Sequence, residues 1–268
     1  MLRIFLILLL LTSCKTAANS TVSASVKISE DETLDLTKYS ANDADYKKFR
    51  AELGDQYEKT MQHLQSSISQ LAQGIPADFN KLTPEEKVAI HHYSSMGYRE
   101  LNKVLRKSDI EGSAKHAGFI KVLSSALNKL PAVSAVVYRG GMLPTFGNSD
   151  YFFPFHNLKT VDPERLGNFK VGQIFIDRGF MSTSLHSADG IRQAFGCREA
   201  AYTIRSKYGR EISPLALIPD EREILFVPGS EFKIQKIQNT FPPENKCPNE
   251  VVELEVDEVE PSATKLAE

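Results

Sequence analysis

Apolar side chains recur at helical spacing through the first half of the chain, from about residue 43 to residue 71. They lie three, four or eight positions apart, as expected for one buried helix face: Leu53, Met61, Leu64, Ile68 and Leu71. Gly54 is expected to divide this stretch into two helices, and Gly74-Ile75-Pro76 ends it. The pattern therefore predicts a helical N-terminal part.

Two further helices are predicted before residue 131. Thr83-Pro84-Glu85-Glu86 combines a cap residue, a proline at the first helical position and a glutamate at the third. The helix that begins there is expected to continue to about Arg106. Another is expected from about Ser113 to Leu130, because Pro131 then stops it.

Strand-like segments follow Pro131 and predict a different second half of the fold. They lie at 133–138, 173–185, 200–205, 223–227, 231–237 and 251–256. Pro228-Gly229, between two of them, is typical of a hairpin turn. The acidic segment Glu250 to Glu260 is expected to be a solvated edge strand that ends in a frayed tail at 259–268.

Helices first and strands afterwards indicate the α+β class. We expect one domain over residues 41–258. Its helical part, 41–131, would pack on an antiparallel β-sandwich core, 132–258. Residues 14–40 are rich in Ser, Thr and Ala, with no helical or strand period before Leu34, so they predict a flexible tether.

The N-terminus has the pattern of an export signal over residues 1–13. Arg3 precedes the apolar run Ile4 to Leu11, which is too short to span a bilayer. Leu11-Thr12-Ser13-Cys14 resembles a bacterial lipobox, which implies that Cys14 is acylated and anchors the chain. Lys15 stands where an aspartate would favour the inner membrane, so the resemblance implies the outer membrane or cell surface. The alternative is an ordinary signal peptide with an incidental cysteine.

Composition and cysteines limit the remaining classes of function. The chain is 41% hydrophobic and 25% charged with a net charge of -2, whereas a nucleic-acid-binding protein should carry a basic surplus. In an exported protein Cys197 and Cys247 favour a disulfide, and two buried free thiols are the alternative. No histidine or second cysteine stands at ligand spacing from either, so no metal site is predicted.

Two carboxylates frame the triplet Glu221-Arg222-Glu223, directly before the apolar run Ile224 to Val227. On a strand, positions i and i+2 point to the same face, so Glu221 and Glu223 would enter one small volume. Like charges that close repel each other. The pair is therefore a candidate catalytic site, although surface pairs of this kind are common.

Three motifs stand in order: Val137-Tyr138-Arg139-Gly140, Phe180-Met181-Ser182-Thr183-Ser184 and Glu221-Arg222-Glu223. Together they resemble the arginine, Ser-Thr-Ser, Glu-x-Glu series of bacterial mono-ADP-ribosyltransferases. The variety they resemble is that of binary-toxin enzymatic components and related exoenzymes, and the resemblance covers roughly residues 80–240. It implies the β-sandwich of that family and NAD as a consumed substrate, with no metal.

The resemblance also implies roles for individual residues. Arg139 would bind the NAD pyrophosphate, and Gly140 would let the ligand approach the backbone. Glu223 would hydrogen-bond the ribose 2′-hydroxyl and stabilise the positive charge that develops on the sugar when nicotinamide leaves. Ser182 would hold Glu223, and Thr183 would support the strand.

Other parts of the NAD site are implied on the helices and in a loop. Tyr93, Tyr98 and Asn102 are similar to the family's helix along the adenosine end of NAD; amphipathic packing is the alternative. Phe195 and Arg198 stand where the family has a loop over the nicotinamide and phosphates; a short surface helix with a buried phenylalanine is the alternative. The six histidines are interpreted as surface or capping residues.

Glu221 is expected to determine the acceptor. In the family, glutamate at this position goes with arginine as the acceptor, and a carboxylate is needed there because guanidinium is a poor nucleophile until it is oriented and deprotonated. Ile218 stands where relatives often have an aromatic residue that touches the target protein. The resulting hypothesis is protein-arginine ADP-ribosylation by a toxin or effector. An NAD glycohydrolase and a non-catalytic surface-binding lipoprotein remain the alternatives.

Overall fold

The computed structural model describes residues 25–71, 74–141, 170–187, 190, 200–240 and 251–260. Within them, a short two-stranded hairpin precedes the α-helices, and the strands that follow the helices form one large sheet. The predicted α+β class is therefore confirmed. Several elements predicted from the sequence differ from those observed, and the differences affect the candidate site.

A small β-hairpin stands where a flexible tether was expected. Strands β1 (Val26–Ser29) and β2 (Glu32–Leu34) pair antiparallel, and a 3₁₀ turn, Leu36–Lys38, follows. Ile28 and Leu36 are 0% exposed, and the Asn128 side-chain amide donates to the Leu36 and Tyr39 carbonyls, both at 2.9 Å. The tether prediction is therefore wrong from residue 26 onward, because this alternating pattern is too short to stand out against the polar composition around it.

The described helices are α1 (Asp43–Leu53), α2 (Asp55–Ser69), α3 (Pro84–His92), α4 (Tyr98–Arg106), α5 (Ile110–Lys115) and α6 (Ala117–Lys129). Gly54 separates α1 from α2 with a φ of +52°, as predicted. The single helix predicted over 113–130 is instead divided at His116. The Glu52 carboxylate caps the start of α6 by accepting from the Gly118 and Phe119 amides, both at 2.8 Å.

The helix predicted from residue 84 to residue 106 is continuous but irregular in its middle. Its predicted capping box forms: Thr83 accepts from the Glu86 amide, and Glu86 accepts from the Thr83 amide. Between α3 and α4 the chain makes a π-helical turn at Tyr93–Gly97. Such turns widen a helix locally and are frequent at functional sites.

The described strands of the large sheet are β3 (Ala132–Gly141), β4 (Ile174–Asp177), β5 (Met181–Ser184), β6 (Ala200–Glu211), β7 (Glu223–Phe226), β8 (Ser230–Thr240) and β9 (Val251–Val259). Their order is β3-β5-β7-β6-β9-β8-β4. Because β3 also pairs with β6, the strands β3, β5, β7 and β6 close on one another. All the pairings are antiparallel except the one between β6 and β9, which is parallel.

Two predictions about the sheet are wrong. Pro228-Gly229 forms a tight turn, with a hydrogen bond from the Ser230 amide to the Val227 carbonyl, but this turn joins β7 to β8 across the fold. These strands have other neighbours, so no hairpin results. The acidic segment is not an edge strand either, because β9 lies between β6 and β8. Its Glu258 is 1% exposed and accepts from the Lys207 and Tyr208 amides.

The strand expected over 173–185 is broken at Arg178-Gly179-Phe180 into β4 and β5. A methyl group on Gly179 would lie 2.7 Å from the Asn102 side chain and 2.9 Å from that of Arg106, so any larger residue would displace these side chains where α4 crosses this turn. Phe180 is 0% exposed and packs with the helical core. The break thus joins the helices to the sheet. Among the residues that the structure describes, no helix is both long and apolar enough to cross a bilayer.

The N-terminal hairpin and the 3₁₀ turn that follows it are predicted to contribute to stability. Leu36→Ala should lower the free energy of unfolding by about 2 to 5 kcal/mol, because it leaves a cavity at a fully buried position. Thr33→Ala, at an exposed position of β2, is the control and should have little effect. Chemical denaturation measures both variants. Equal stabilities would indicate that residues 26–38 do not pack as described.

Candidate active site

Glu223 is the first residue of β7 and is only 6% exposed. It pairs across the ladder with Ser184 of β5, and its carbonyl accepts from the Ile212 amide at 3.0 Å. Ser182, two residues before Ser184 on the same face, hydrogen-bonds the Glu223 carboxylate through its hydroxyl. The backbone of Glu223 is therefore fixed by β5 on one side and by the end of β6 on the other, and Ser182 orients its side chain.

Burial raises the pKa of Glu223 to about 7. The hydrogen bond from Ser182 and the positive charge of Arg139 act in the opposite direction, whereas the negative charge of Glu221 raises the pKa further. The carboxylate is thus costly to ionise, yet cationic and hydrogen-bonding groups surround it. A perturbed carboxyl beside a specific charge partner is typical of an active site.

Glu221 does not share a strand with Glu223, so the reasoning from strand alternation is wrong. It ends a 3₁₀ turn, Pro219–Glu221, and Arg222 follows in the left-handed region with a φ of +49°. The Glu221 amide donates to the Ile218 carbonyl at 3.1 Å. The two carboxylates still interact, and partial burial raises the pKa of Glu221 as well. Since a turn carries Glu221, its position depends on what holds that turn.

Ser184, the last residue of the Ser-Thr-Ser motif, holds one end of this turn. Its hydroxyl donates to the Glu221 carbonyl at 2.6 Å and accepts from the His186 amide at 2.9 Å. The His186 ring in turn contacts the Asp220 carbonyl at 2.5 Å. Thr183, between the two serines, donates to the Ile224 carbonyl and ties β5 to β7. Sequence reasoning gave Ser184 no role, although its place in the motif marked it.

Arg139 comes from β3, at the closed side of the sheet. Its guanidinium donates to the Ser182 carbonyl at 2.5 Å, which brings it to the same segment that orients Glu223. Burial and the nearby charge of Arg106 lower the pKa of Arg139, and Asp177 opposes them. Gly140, the next residue, is half-buried and pairs with Ala201 of β6.

Helix α4 holds the turn that leads into β5. Arg106 makes a two-pronged ion pair with Asp177, with both N–O distances at 2.9 Å, and also donates to the Phe180 carbonyl. Asn102 accepts from the Phe180 amide at 2.7 Å. Arg106 and Asp177 were missed by sequence reasoning, because a contact between residues so far apart in sequence leaves no local pattern.

The three helical residues expected along NAD differ in what they can reach. Tyr93 is 1% exposed; its hydroxyl donates to the Phe180 carbonyl and accepts from Asn102. It therefore presents almost no surface to a ligand. Asn102 is half-buried and shares the Phe180 peptide with it. Tyr98 is 38% exposed and meets the Tyr93 ring edge-on. Amphipathic packing, the alternative interpretation of these three residues, therefore explains the position of Tyr93.

Some predicted residues lie outside the described part of the chain: Phe195, Arg198, Cys14, Cys197 and Cys247. Among the described residues, the interpretation of the histidines as surface or capping residues is wrong for His91. His91 is 2% exposed and paired through both ring nitrogens, so it is neither a surface nor a capping residue. Within the described ranges, no three residues among His, Cys, Asp and Glu are grouped to hold a metal ion.

This chain belongs to the ADP-ribosyltransferase exoenzyme family, whose model matches residues 77–256, more than half of its length. The match includes Arg139, Ser182, Glu221 and Glu223. It confirms the family resemblance inferred from the three motifs. The fold agrees: the chain resembles the crystal structure of the ADP-ribosyltransferase HopU1 of Pseudomonas syringae pv. Tomato DC3000 with a TM-score of 0.59 and 20% identity, over 83% of this chain and 100% of that one.

Two relatives extend the comparison. The chain is 30% identical over 153 residues to Mav of Mycobacterium avium (strain 104), to which NAD(+)–arginine ADP-ribosyltransferase activity is ascribed, covering 57% of this chain and 16% of Mav. It is 24% identical over 176 residues to Vis of Vibrio splendidus (strain 12B01), and this match covers 60% of this chain and 63% of Vis. It thus spans less than two thirds of either relative. The structure of Vis in complex with agmatine matches with a TM-score of 0.52 and 22% identity, over 78% of this chain and 89% of that chain.

The burial of Glu223 predicts a pH-dependent effect on stability. The folded-state pKa of about 7 exceeds the ordinary 4.5, so the wild type loses stability as the pH rises from 4.5 to 7. Glu223→Gln cannot ionise and avoids this loss. Its free energy of unfolding should therefore exceed that of the wild type by roughly 3 kcal/mol at pH 8, with the gap closing toward pH 4.5.

Denaturant titrations at several pH values measure this difference. Glu100→Gln, which removes one charge from a side chain that is 62% exposed, is the control. A gap between Glu223→Gln and wild type that stayed constant with pH would contradict the burial of an ionisable Glu223.

Proposed function

We propose that this chain transfers ADP-ribose from NAD to an arginine side chain of a protein, releasing nicotinamide, and that it acts as a toxin or effector. The observation that carries the proposal is the buried Glu223 beside Ser182 and Arg139, with the second carboxylate, Glu221, on the adjoining turn. The names of Mav and the agmatine complex of Vis support arginine as the acceptor, because agmatine presents the same guanidinium group.

Arg139 is proposed to bind the pyrophosphate of NAD. The Ser182 carbonyl accepts one of its hydrogen bonds without neutralising its charge, and a guanidinium matches phosphate oxygens in geometry. Gly140 follows on the same strand and lets the ligand approach the backbone. Tyr98, the most exposed of the three helical candidates, would contact the adenosine end. Tyr93 and Asn102 would act through the Phe180 peptide.

The reaction breaks the bond between the ribose C1′ and nicotinamide, and the bonding pair leaves with nicotinamide. Positive charge develops on the sugar, and a carboxylate fixed in advance beside it stabilises that charge most strongly where water is excluded. Glu223 meets both conditions, since it is buried and held by Ser182. Only its ionised form performs this role, so activity should require a pH that deprotonates it.

Glu221 is proposed to orient the acceptor guanidinium and to take its proton as the new C1′–N bond forms. The raised pKa of Glu221 suits a base better than an ordinary surface carboxylate would. Leu217 and Ile218, on the same loop, are 41% and 51% exposed, and we propose that they contact the target protein around the acceptor arginine.

Substitution of the two glutamates separates their proposed roles. With NAD and agmatine, Glu223→Gln should lower both nicotinamide release and ADP-ribosyl-agmatine formation by at least about 100-fold. Glu221→Gln should lower only the transfer to a similar extent and leave nicotinamide release by hydrolysis. Chromatography of nicotinamide and of the agmatine product measures both reactions.

Each result has a clear reversal. Substantial turnover by Glu223→Gln would overturn the site assignment. Transfer that persisted in Glu221→Gln would overturn the role of that residue. A wild type that releases nicotinamide at the same rate with and without agmatine, and forms no product, would instead be an NAD glycohydrolase.

We further propose that the chain is exported and held at the outer membrane or cell surface by acylation of Cys14, on the lipobox resemblance of Leu11-Thr12-Ser13-Cys14. Full-length protein expressed in a Gram-negative host should incorporate labelled palmitate, whereas Cys14→Ser should not. If the full-length protein incorporated no palmitate, acylation of Cys14 would be contradicted and an ordinary signal peptide would remain as the explanation of the N-terminal pattern.

A disulfide between Cys197 and Cys247 is also expected of an exported protein, and mass spectrometry with and without reductant tests it.

A further inference from the structure

The segment Leu215–Glu221, called here the Glu221 loop, connects the end of β6 to the catalytic turn. The loop starts at Leu215, the last residue of a 3₁₀ turn at Ser213–Leu215. It then passes the exposed Leu217 and Ile218 and ends in the 3₁₀ turn that carries Glu221. Ser184 and His186 hold its far end through the Glu221 and Asp220 carbonyls. Its near end meets the helical part of the fold.

His91 of α3 holds the near end from inside the protein. Its Nδ1 lies 2.7 Å from the Leu215 carbonyl, and its Nε2 lies 2.8 Å from Nδ1 of His63 on α2. A carbonyl only accepts, so Nδ1 of His91 carries the proton. In the neutral ring Nε2 then accepts from His63, and the two histidines form a directed chain from α2 to the loop.

Ser94 makes a second contact two residues further along the loop. Its hydroxyl accepts from the Leu217 amide at 2.8 Å and donates to the His91 carbonyl at 3.0 Å. Ser94 belongs to the π-helical turn that follows α3, so the irregular part of the helix is where the loop attaches. The loop is thus held at Leu215, Leu217, Asp220 and Glu221.

We propose that His63, His91 and Ser94 are positioning residues for Glu221 that set how NAD turnover divides between transfer to arginine and hydrolysis. The inference rests on the proposed transferase function. In both reactions the C1′–nicotinamide bond breaks and the pair leaves with nicotinamide. In transfer, an acceptor nitrogen bonds C1′ and passes its proton to Glu221; in hydrolysis, a water oxygen bonds C1′ and its proton goes to Glu221 or solvent.

The two reactions differ in how much positioning they need. A guanidinium on a side chain must be aligned with C1′ and with Glu221 at once, whereas water is small, abundant and approaches without a fixed orientation. A misplacement of about 1 Å can lower a positioned reaction by about 100-fold. Loosening the Glu221 loop should therefore lower transfer more than hydrolysis, while Glu223, held by its own strands, keeps cleaving NAD.

Two adjacent serines provide a matched test. Ser94 and Ser95 each donate to the carbonyl three residues earlier, at 3.0 and 2.9 Å, but among the described residues only the Ser94 hydroxyl of the two accepts from the loop. Nicotinamide and ADP-ribosyl-agmatine are measured in one reaction with saturating NAD and agmatine. The ratio of transfer to hydrolysis should fall about five-fold in Ser94→Ala, as for a lost hydrogen bond, and remain unchanged in Ser95→Ala.

Adjacent histidines provide a second pair. His91→Phe removes the donor to Leu215 and should lower the ratio further, whereas His92→Phe removes a half-buried ring that packs on Phe119 and should leave it unchanged. Ser94→Thr, which retains a hydroxyl, should restore most of the ratio. If His91→Phe does not fold, the serine variants alone decide the question.

The outcomes separate this inference from the function on which it rests. If wild type transfers ADP-ribose to agmatine but Ser94→Ala keeps its ratio, or loses both reactions in proportion, the positioning role is overturned and the transferase stands. If wild type forms no ADP-ribosyl-agmatine, the proposed function fails and the inference fails with it.

Discussion

The removal of Glu223 from water is the constraint on which the rest of the site depends. A carboxylate that is 6% exposed is stable in its ionised form only if nearby groups replace the lost hydration. Ser182 and Arg139 do so from two different strands, and each of those strands is fixed by contacts of its own. The strand pairing and the break before β5 therefore hold the two groups that stabilise the ionised form of Glu223.

The helical part acts on this site mainly through the protein backbone. Tyr93, Asn102 and Arg106 all bind the peptide of Phe180, two residues before Ser182. His91 and Ser94 bind the peptides of Leu215 and Leu217, before Glu221. One irregular helix thus fixes both segments that carry the proposed catalytic side chains. A ligand placed between them would meet surfaces whose relative position is already set.

Sequence reasoning located this site well where the chemistry needs particular residue types in a fixed order. Arg139, Ser182 and Glu223 converge because three motifs on neighbouring strands specify them together. It failed for Glu221, since a left-handed Arg222 between the two glutamates breaks the strand alternation assumed for them. It also failed for His91, Arg106 and Asp177, whose partners are distant in sequence. The buried hairpin at residues 26–34 was hidden because composition averages over a pattern only a few side chains long.

The place of β9 in the sheet has a consequence for how the molecule is made. Among the described strands, β9 is the one that separates β6 from β8, and it runs parallel to β6 and antiparallel to β8. A nascent chain that has not reached residue 251 therefore has an open slot, with backbone donors and acceptors of two strands unsatisfied on either side. Such edges attract other chains. The gap between β6 and β8 is filled only once β9 has been synthesised, so until then the unfinished sheet depends on protection from aggregation.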